Sequence, residues 1–304
     1  MRKIRSVLGR YMNNSVFLII AGLLIIILMN DWLNLPPIWG WVVLAIFFNQ
    51  AFITIGGSIL VLFRYGFKRP NEKSYTLKGD YILPFKGAWT VTGGGIGKEI
   101  AHHSWAIIPS QRYAYDFSVL EDDEDIAGDD EYILPTRVEE YPAYGKDIIA
   151  IADGEVVRVS NKHVDSRTNG MKTFCDTTDQ NGNFVVIKHY TGEYSWTCHL
   201  MPDSICVKKG DKVKQGQVIA KCGNSGNSTA PHIHFQLQSS RYFHLSVGLP
   251  IAFTNIEAKQ STLYEELYRE TGRDIPSRAG NLIIVGNKTY IGRGLDVENK
   301  DEFR

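Results

Sequence analysis

Two apolar stretches near the start of the chain fix its first division. Val16 to Met29 is almost purely aliphatic and extends to about Leu33 through Trp32, and Ile38 to Phe63 is a second stretch whose polar interruptions are Asn49, Gln50, Thr54 and Ser58. A membrane span takes roughly 20 apolar residues, so two helices fit, over about 15–33 and 38–63. The Asn34-Leu35-Pro36-Pro37 joint cannot continue a helix, because proline lacks an amide hydrogen and restricts the residue before it. Neither stretch has a polar face, so a buried helix pair in a soluble core fits poorly. No small-residue cleavage site separates them, as a removable leader would require. The expectation is a membrane-embedded two-helix hairpin over residues 1–69. In it, Gly56-Gly57-Ser58 offers a small-residue surface for a homodimer through the membrane helices. Arg2, Lys3, Arg5 and Arg10 precede the hairpin and Arg64, Lys68 and Arg69 follow it, while the connection carries Asp31. The positive-inside rule therefore puts both ends in the cytoplasm.

Net charge is zero over 304 residues, but residues 1–69 hold seven of the 33 basic and one of the 33 acidic side chains, leaving the remainder at −6. An acidic soluble part excludes nucleic acid as a partner, since phosphate binding needs a basic face. Cys175, Cys198, Cys206 and Cys222 are too few and too unevenly spaced for a disulfide scaffold or a zinc ribbon.

From Pro70 onwards the sequence is strand-like. Short β-branched or alternating runs fall at Trp89–Thr92, Tyr113–Val119, Ile148–Ala152, Glu155–Val159, Phe184–His189, Ser195–His199, Val218–Cys222 and His232–Gln238, each bounded by Gly, Asn, Asp or Pro. Such spacing without helical periodicity between strands predicts an antiparallel all-β domain over 70–255. A C-terminal extension over 256–304 carries one helix, Leu263 to Glu270. The acidic run Glu121 to Glu131 reads as a solvated loop and its spacing matches no EF-hand. Gly154, Gly210 and Gly216 supply turns between valine-rich strands, as a small β-sandwich needs. Lipoyl and biotinyl carriers share that pattern, but no lysine here sits on the hairpin tip such a carrier modifies.

The residues that point to chemistry cluster late in the chain. In GNSGNSTAPHIHF (Gly223 to Phe235), His232 and His234 lie two apart on a strand, so both imidazoles leave one face and can share a metal site. A third histidine, His199, ends the strand containing Trp196-Thr197-Cys198. Asp116 is set among aromatic and apolar residues in QRYAYDF, where a carboxylate requires a cationic partner. Cys198 neighbours His199, but adjacent strand residues face opposite sides, which argues against a Cys/His nucleophile. His163, His189 and His244 lie outside these motifs.

These pieces, in this order over about residues 90–240, resemble the lysostaphin/LytM-type zinc metallopeptidases, which cut peptide stems and cross-bridges in peptidoglycan. The resemblance implies a β-sandwich of the barrel-sandwich-hybrid type, a zinc ion, and peptidoglycan peptide as substrate. Carried over residue by residue, it makes Asp116 and His234 metal ligands and His199 and His232 the non-ligand catalytic histidines. Zinc with three protein ligands keeps one position for water and lowers that water's pKa towards about 7. One histidine would take the water's proton and steady the oxyanion while the other protonates the leaving amine.

One departure divides the reading. The family's first ligand is the histidine of HxxxD, but Arg112 stands four residues before Asp116, and arginine cannot ligate zinc. Either a loop folds back and His103, or else His102, completes the set, or Arg112 pairs with Asp116 and the domain is an inactive module that binds wall peptide or regulates another hydrolase. The charge rule favours a third reading, a cytoplasm-facing interaction module. The motif instead places a cell-membrane peptidase domain outside the cytoplasm.

Overall fold

A computed structural model of the chain describes residues 49–66, 69–97, 108–120, 135, 137–168, 173–175, 180–270 and 282–300. The first expected membrane helix lies outside these residues. The described part of the second is helix α1, Asn49–Tyr65, 17 residues long. No described helix is long and apolar enough to cross a membrane.

The rest is mostly β-sheet, as the short bounded runs predict. In chain order the strands are β1 (Trp89–Gly94), β2 (Tyr115–Ser118), β3 (Asp147–Ile149), β4 (Gly154–Ser160), β5 (Arg167–Thr168) and β6 (Thr173–Phe174). Then come β7 (Phe184–Tyr190), β8 (Glu193–Cys198), β9 (Lys212–Val213), β10 (Val218–Lys221) and β11 (Ile233–Gln238). After these follow β12 (Phe253–Thr254), β13 (Ile256–Gln260), helix α2 (Thr262–Glu270), β14 (Leu282–Val285), β15 (Lys288–Ile291) and β16 (Leu295–Asn299). Among the described residues the main sheet has nine strands, ordered β13-β16-β1-β2-β11-β8-β7-β4-β9, and every pairing in it is antiparallel. Residues beyond 255 therefore do more than extend the domain: β13 and β16 continue the sheet past β1, with Trp89 opposite Val297.

The main core lies on one face of this sheet. Phe85 stacks on Trp89 with centroids 4.7 Å apart and meets Phe117 edge-on at 5.0 Å, while Phe235 and Phe253 close the cluster around Tyr115. A smaller cluster of Phe184, Val186, Trp196, Cys198 and Phe243 is separate from it. Burying aromatic rings of this size supplies most of the driving force for such a fold. Glu193 is buried and still well served, accepting from the Tyr75 hydroxyl and the Lys78 amide, each at 2.9 Å, and from the Tyr81 hydroxyl. That carboxylate ties the segment after α1 to β8.

Helix α1 docks on the β-domain. Val61 is buried in the main core and the Tyr65 hydroxyl donates to Ser239 Oγ at 3.1 Å. Gly57 sits so close to the Phe243–Leu245 turn that a Cβ there would lie 2.4 Å from the His244 carbonyl oxygen. This glycine, read from the sequence as part of a membrane contact surface, thus serves a contact within the chain. On another side of the helix Ile59, Leu60 and Phe63 are exposed, Phe63 at 83%.

Candidate metal and acid–base site

The site is assembled where β2, β11 and the end of β8 run side by side. Antiparallel register puts His234 directly opposite Asp116 on one neighbour and Cys198 on the other. His234 Nδ1 lies 3.0 Å from Asp116 Oδ1, and His232 Nε2 lies 3.6 Å from the same oxygen. The rings of His199 and His232 are 4.8 Å apart, and those of His199 and His234 6.0 Å. Four residues separated by up to 118 positions in sequence thus meet as the sequence motifs predict.

His199 follows the last residue of β8 with φ of 60°, a left-handed backbone that non-glycine residues enter at a cost. Such strain persists where surroundings over-determine it. Here they do: the His199 amide donates to Asn181 O at 3.1 Å and its carbonyl accepts from the Gly223 amide at 3.1 Å. Its Nδ1 donates to Ser225 O at 2.8 Å, which leaves Nε2 as the nitrogen able to accept a proton. The Gly223 to Pro231 loop is itself held by Asn224, whose amide donates to Asp165 Oδ1 at 2.7 Å and whose Oδ1 accepts from Ser228 Oγ at 2.6 Å. His232 Nδ1 donates to Ala230 O at 2.8 Å, turning Nε2 towards Asp116.

These surroundings shift the pKa values of His199 and His232 in opposite directions. Burial, reinforced by the neighbouring His232 and His234, lowers the His199 pKa well below the usual value of 6.5. Burial also opposes a charge on His232, but the Asp116 carboxylate outweighs it and raises that pKa above 6.5. A pair of titratable groups driven in opposite directions is the pattern of an assigned base and acid.

Arg112 does not make the pairing with Asp116 that one of the two sequence readings expected. Its Nη2 donates to Ile96 O at 3.2 Å and the guanidinium lies over the Tyr113 ring at 4.5 Å. Among the described residues it forms no ion pair with Asp116. The reason is local: Pro109–Gln111 is a single 3-10 turn, and Arg112 leaves it in the right-handed helical region before β2 begins. Spacing to Asp116 alone did not reveal that turn. Cys198 is buried in the smaller apolar cluster with its thiol on Asn181 Oδ1, so the Cys/His pair is not formed.

Among the described residues no group of three or more His, Cys, Asp or Glu side chains is set to hold a metal. His102 and His103 lie outside those residues. Of the expected ligands, the two that are described, Asp116 and His234, have a spacing that fits zinc. A carboxylate oxygen and an imidazole nitrogen converge at 3.0 Å, near the roughly 3.3 Å between two ligands on a tetrahedral ion with bonds of about 2.0–2.1 Å.

Four buried or half-buried glutamines at the site carried no weight in the sequence reading. Gln111 Nε2 is 3.4 Å from His234 Nε2, and Gln180 Nε2 donates to Gln111 Oε1 at 3.4 Å. Gln236 and Gln238 stand two and four residues after His234 and, by strand alternation, share its face. That period-2 spacing was the available signal.

Residues 140–245 match the model of Peptidase family M23. The match holds His199, His232 and His234 but begins after Asp116. The chain is 48% identical over 56 residues to peptidoglycan DD-endopeptidase ShyA of Vibrio cholerae, across 18% of this chain and 13% of that protein. It is 31% identical over 110 residues to glycyl-glycine endopeptidase ALE-1 of Staphylococcus capitis, across 36% and 26% of the two chains. The catalytic domain of lysostaphin from Staphylococcus simulans overlays with a TM-score of 0.31 at 22% identity, over 54% of this chain and 89% of that one. The chain spans 13% and 26% of the two endopeptidases' own lengths. The likeness to Peptidase family M23 thus covers residues 140–245, the part of the chain that carries the three histidines.

Proposed function

We propose that this chain is a zinc-dependent endopeptidase that cuts peptide bonds in peptidoglycan stems or cross-bridges while held at the cell membrane by its apolar N-terminal part. The observation that carries the reading is the convergence of Asp116, His199, His232 and His234, with the pKa values of His199 and His232 shifted in opposite directions.

In this mechanism Asp116 and His234 hold zinc together with a third ligand, for which His103 is the candidate. When bound, zinc polarises the scissile carbonyl and lowers the pKa of the attacking water. His199 is kept neutral by burial and, with Nδ1 spent on Ser225 O, takes the water's proton at Nε2. His232, with Nδ1 spent on Ala230 O, turns Nε2 to the site, where its protonated form would steady the developing oxyanion and then protonate the leaving amine. The Gly223 to Pro231 loop fixes both rings by their Nδ1 atoms, so neither must reorganise as charge develops.

For the membrane, the exposed Ile59, Leu60 and Phe63 of α1 supply an apolar surface continuous in sequence with the preceding apolar stretch. The β-domain stands on the wall side, where its substrate is. The test is digestion of purified sacculi by the full chain in detergent, with zinc content measured in parallel. Released peptide fragments from the parent and none from Asp116→Ala support the reading; no release by a zinc-loaded, folded parent overturns it. Protease added to intact cells should cut the β-domain, and a shielded domain would sink the wall-side placement.

A further inference from the structure

The glutamines on the His234 face of β11 form a chain with a direction. It starts at a backbone carbonyl: Gln238 Nε2 donates to Ser240 O at 2.7 Å. A carbonyl oxygen only accepts, so the atom facing it must be the amide nitrogen, whichever way the side chain would otherwise be drawn. Gln238 Nε2 also donates to Ser246 Oγ at 3.2 Å, and that hydroxyl spends its own proton on Tyr242 O at 2.7 Å. Both neighbours thus demand a donor. Gln238 Oε1 must then face the next residue, and it accepts from Gln236 Nε2. This turns Gln236 Oε1 towards His234 Nε2, 3.1 Å away. Oxygens thus face both ring nitrogens, Gln236 Oε1 at Nε2 and Asp116 Oδ1 at Nδ1. A cation seated between Nδ1 and Asp116 takes the place of the Nδ1 proton, which leaves Nε2 as the protonated nitrogen; Gln111 Nε2 lies farther from it, at 3.4 Å.

We propose that the chain from Ser240 O through Gln238 and Gln236 is a polarised positioning relay that fixes the proton of His234 on Nε2 and so keeps Nδ1 as the nitrogen offered to a divalent cation. This rests on the zinc reading above. The side chains along the relay are buried, with Gln236, Gln238 and Ser246 at 0% exposure and His234 at 4%, while Ser240 at its start is half-buried. The neighbouring cluster of Trp196, Cys198 and Phe243 is apolar and Gln236 and Gln238 are fully buried, so an amide reversed there leaves polar atoms unpaired at a cost. Hydrogen-bond partners behind a metal-binding histidine set its tautomer and basicity, and losing one typically weakens metal binding about 10- to 100-fold.

The test is zinc affinity of the full chain in detergent, by competition with a chromophoric chelator, for the parent, Gln236→Met, Gln236→Glu, Gln238→Met and Asp116→Ala. Melting curves confirm that each is folded. Gln236→Met should bind roughly 10- to 100-fold more weakly. Gln236→Glu, which still accepts from Nε2, should stay within about threefold of the parent. Gln238→Met touches neither His234 nor a ligand, yet by freeing Gln236 to reverse it should weaken binding about threefold or more. Nitrogen NMR of the zinc-loaded protein should show a slowly exchanging Nε2 proton on His234 that exchanges fast in Gln236→Met. A parent that loses zinc on Asp116→Ala but keeps parental affinity and Nε2 protection in both methionine variants overturns the relay alone. A parent that binds no zinc overturns the relay together with the reading beneath it. Should Gln236→Met fail to fold, Gln238→Met decides, and parental affinity there rejects the relay.

Discussion

Ile233, Phe235 and Leu237 point from β11 into the main core, while His234, Gln236 and Gln238 point from the same strand to the other side, and all six are at most 4% exposed. The first three are held by burial, which has no direction and tolerates a shape of similar volume. The second three are held by donors and acceptors that must match one to one. One strand therefore carries two kinds of information: how firmly the domain folds, and which nitrogen of a histidine meets a cation.

The largest effects should separate these faces completely. Asp116→Ala is expected to lose zinc binding outright while the unfolding midpoint in urea moves little; a variant that keeps its zinc would remove Asp116 from the ligand set. Phe235→Ala should do the reverse, losing about 3–5 kcal/mol of stability with zinc affinity near the parent's where the protein remains folded. His199→Asn sharpens the contrast further. Asparagine accepts a left-handed backbone, so zinc binding and stability should stay close to parental while wall digestion falls about 10²- to 10⁴-fold. Unchanged digestion would take His199 out of the acid–base pair.

The smallest effect concerns a histidine outside the site. His189 is half-buried, and this desolvation lowers its pKa from 6.5, with the Asp153 carbonyl and Glu193 opposing more weakly. Its folded pKa lies below its unfolded one, so its contribution to stability is complete above about 6.5 and is lost as pH falls below that towards the folded value. The urea midpoint should drop as pH is taken from about 7.5 to about 5, and drop less steeply in His189→Gln. Identical slopes would mean that other groups carry the acid sensitivity.

Most of the sheet was legible because its signals are local. Tyr115–Ser118, Gly154–Ser160, Phe184–Tyr190 and Ile233–Gln238 fall within one or two residues of the runs that alternation and turn residues mark out. The meeting of Asp116 with His232 and His234 was legible through a motif resemblance, not through periodicity. What escaped was set by contacts distant in sequence. Nothing near Leu295–Asn299 announces that it will pair with Trp89–Gly94, since that register is decided by where both strands must bury Trp89 and Val297. Where Arg112 points was left open because residue spacing says nothing about the 3-10 turn that aims it at Ile96. The glutamines escaped because an uncharged amide draws attention only when its partners are known.

The docking of α1 has a mechanical consequence. With Val61 in the core, Gly57 against His244 and Tyr65 on Ser239, the helix and the β-domain turn as one piece instead of being joined by a leash. Whatever surface receives Ile59, Leu60 and Phe63 therefore also sets the height and tilt of the histidine cleft. Under the proposed function, a domain mounted in this way works at a fixed depth, and its substrate has to come to it.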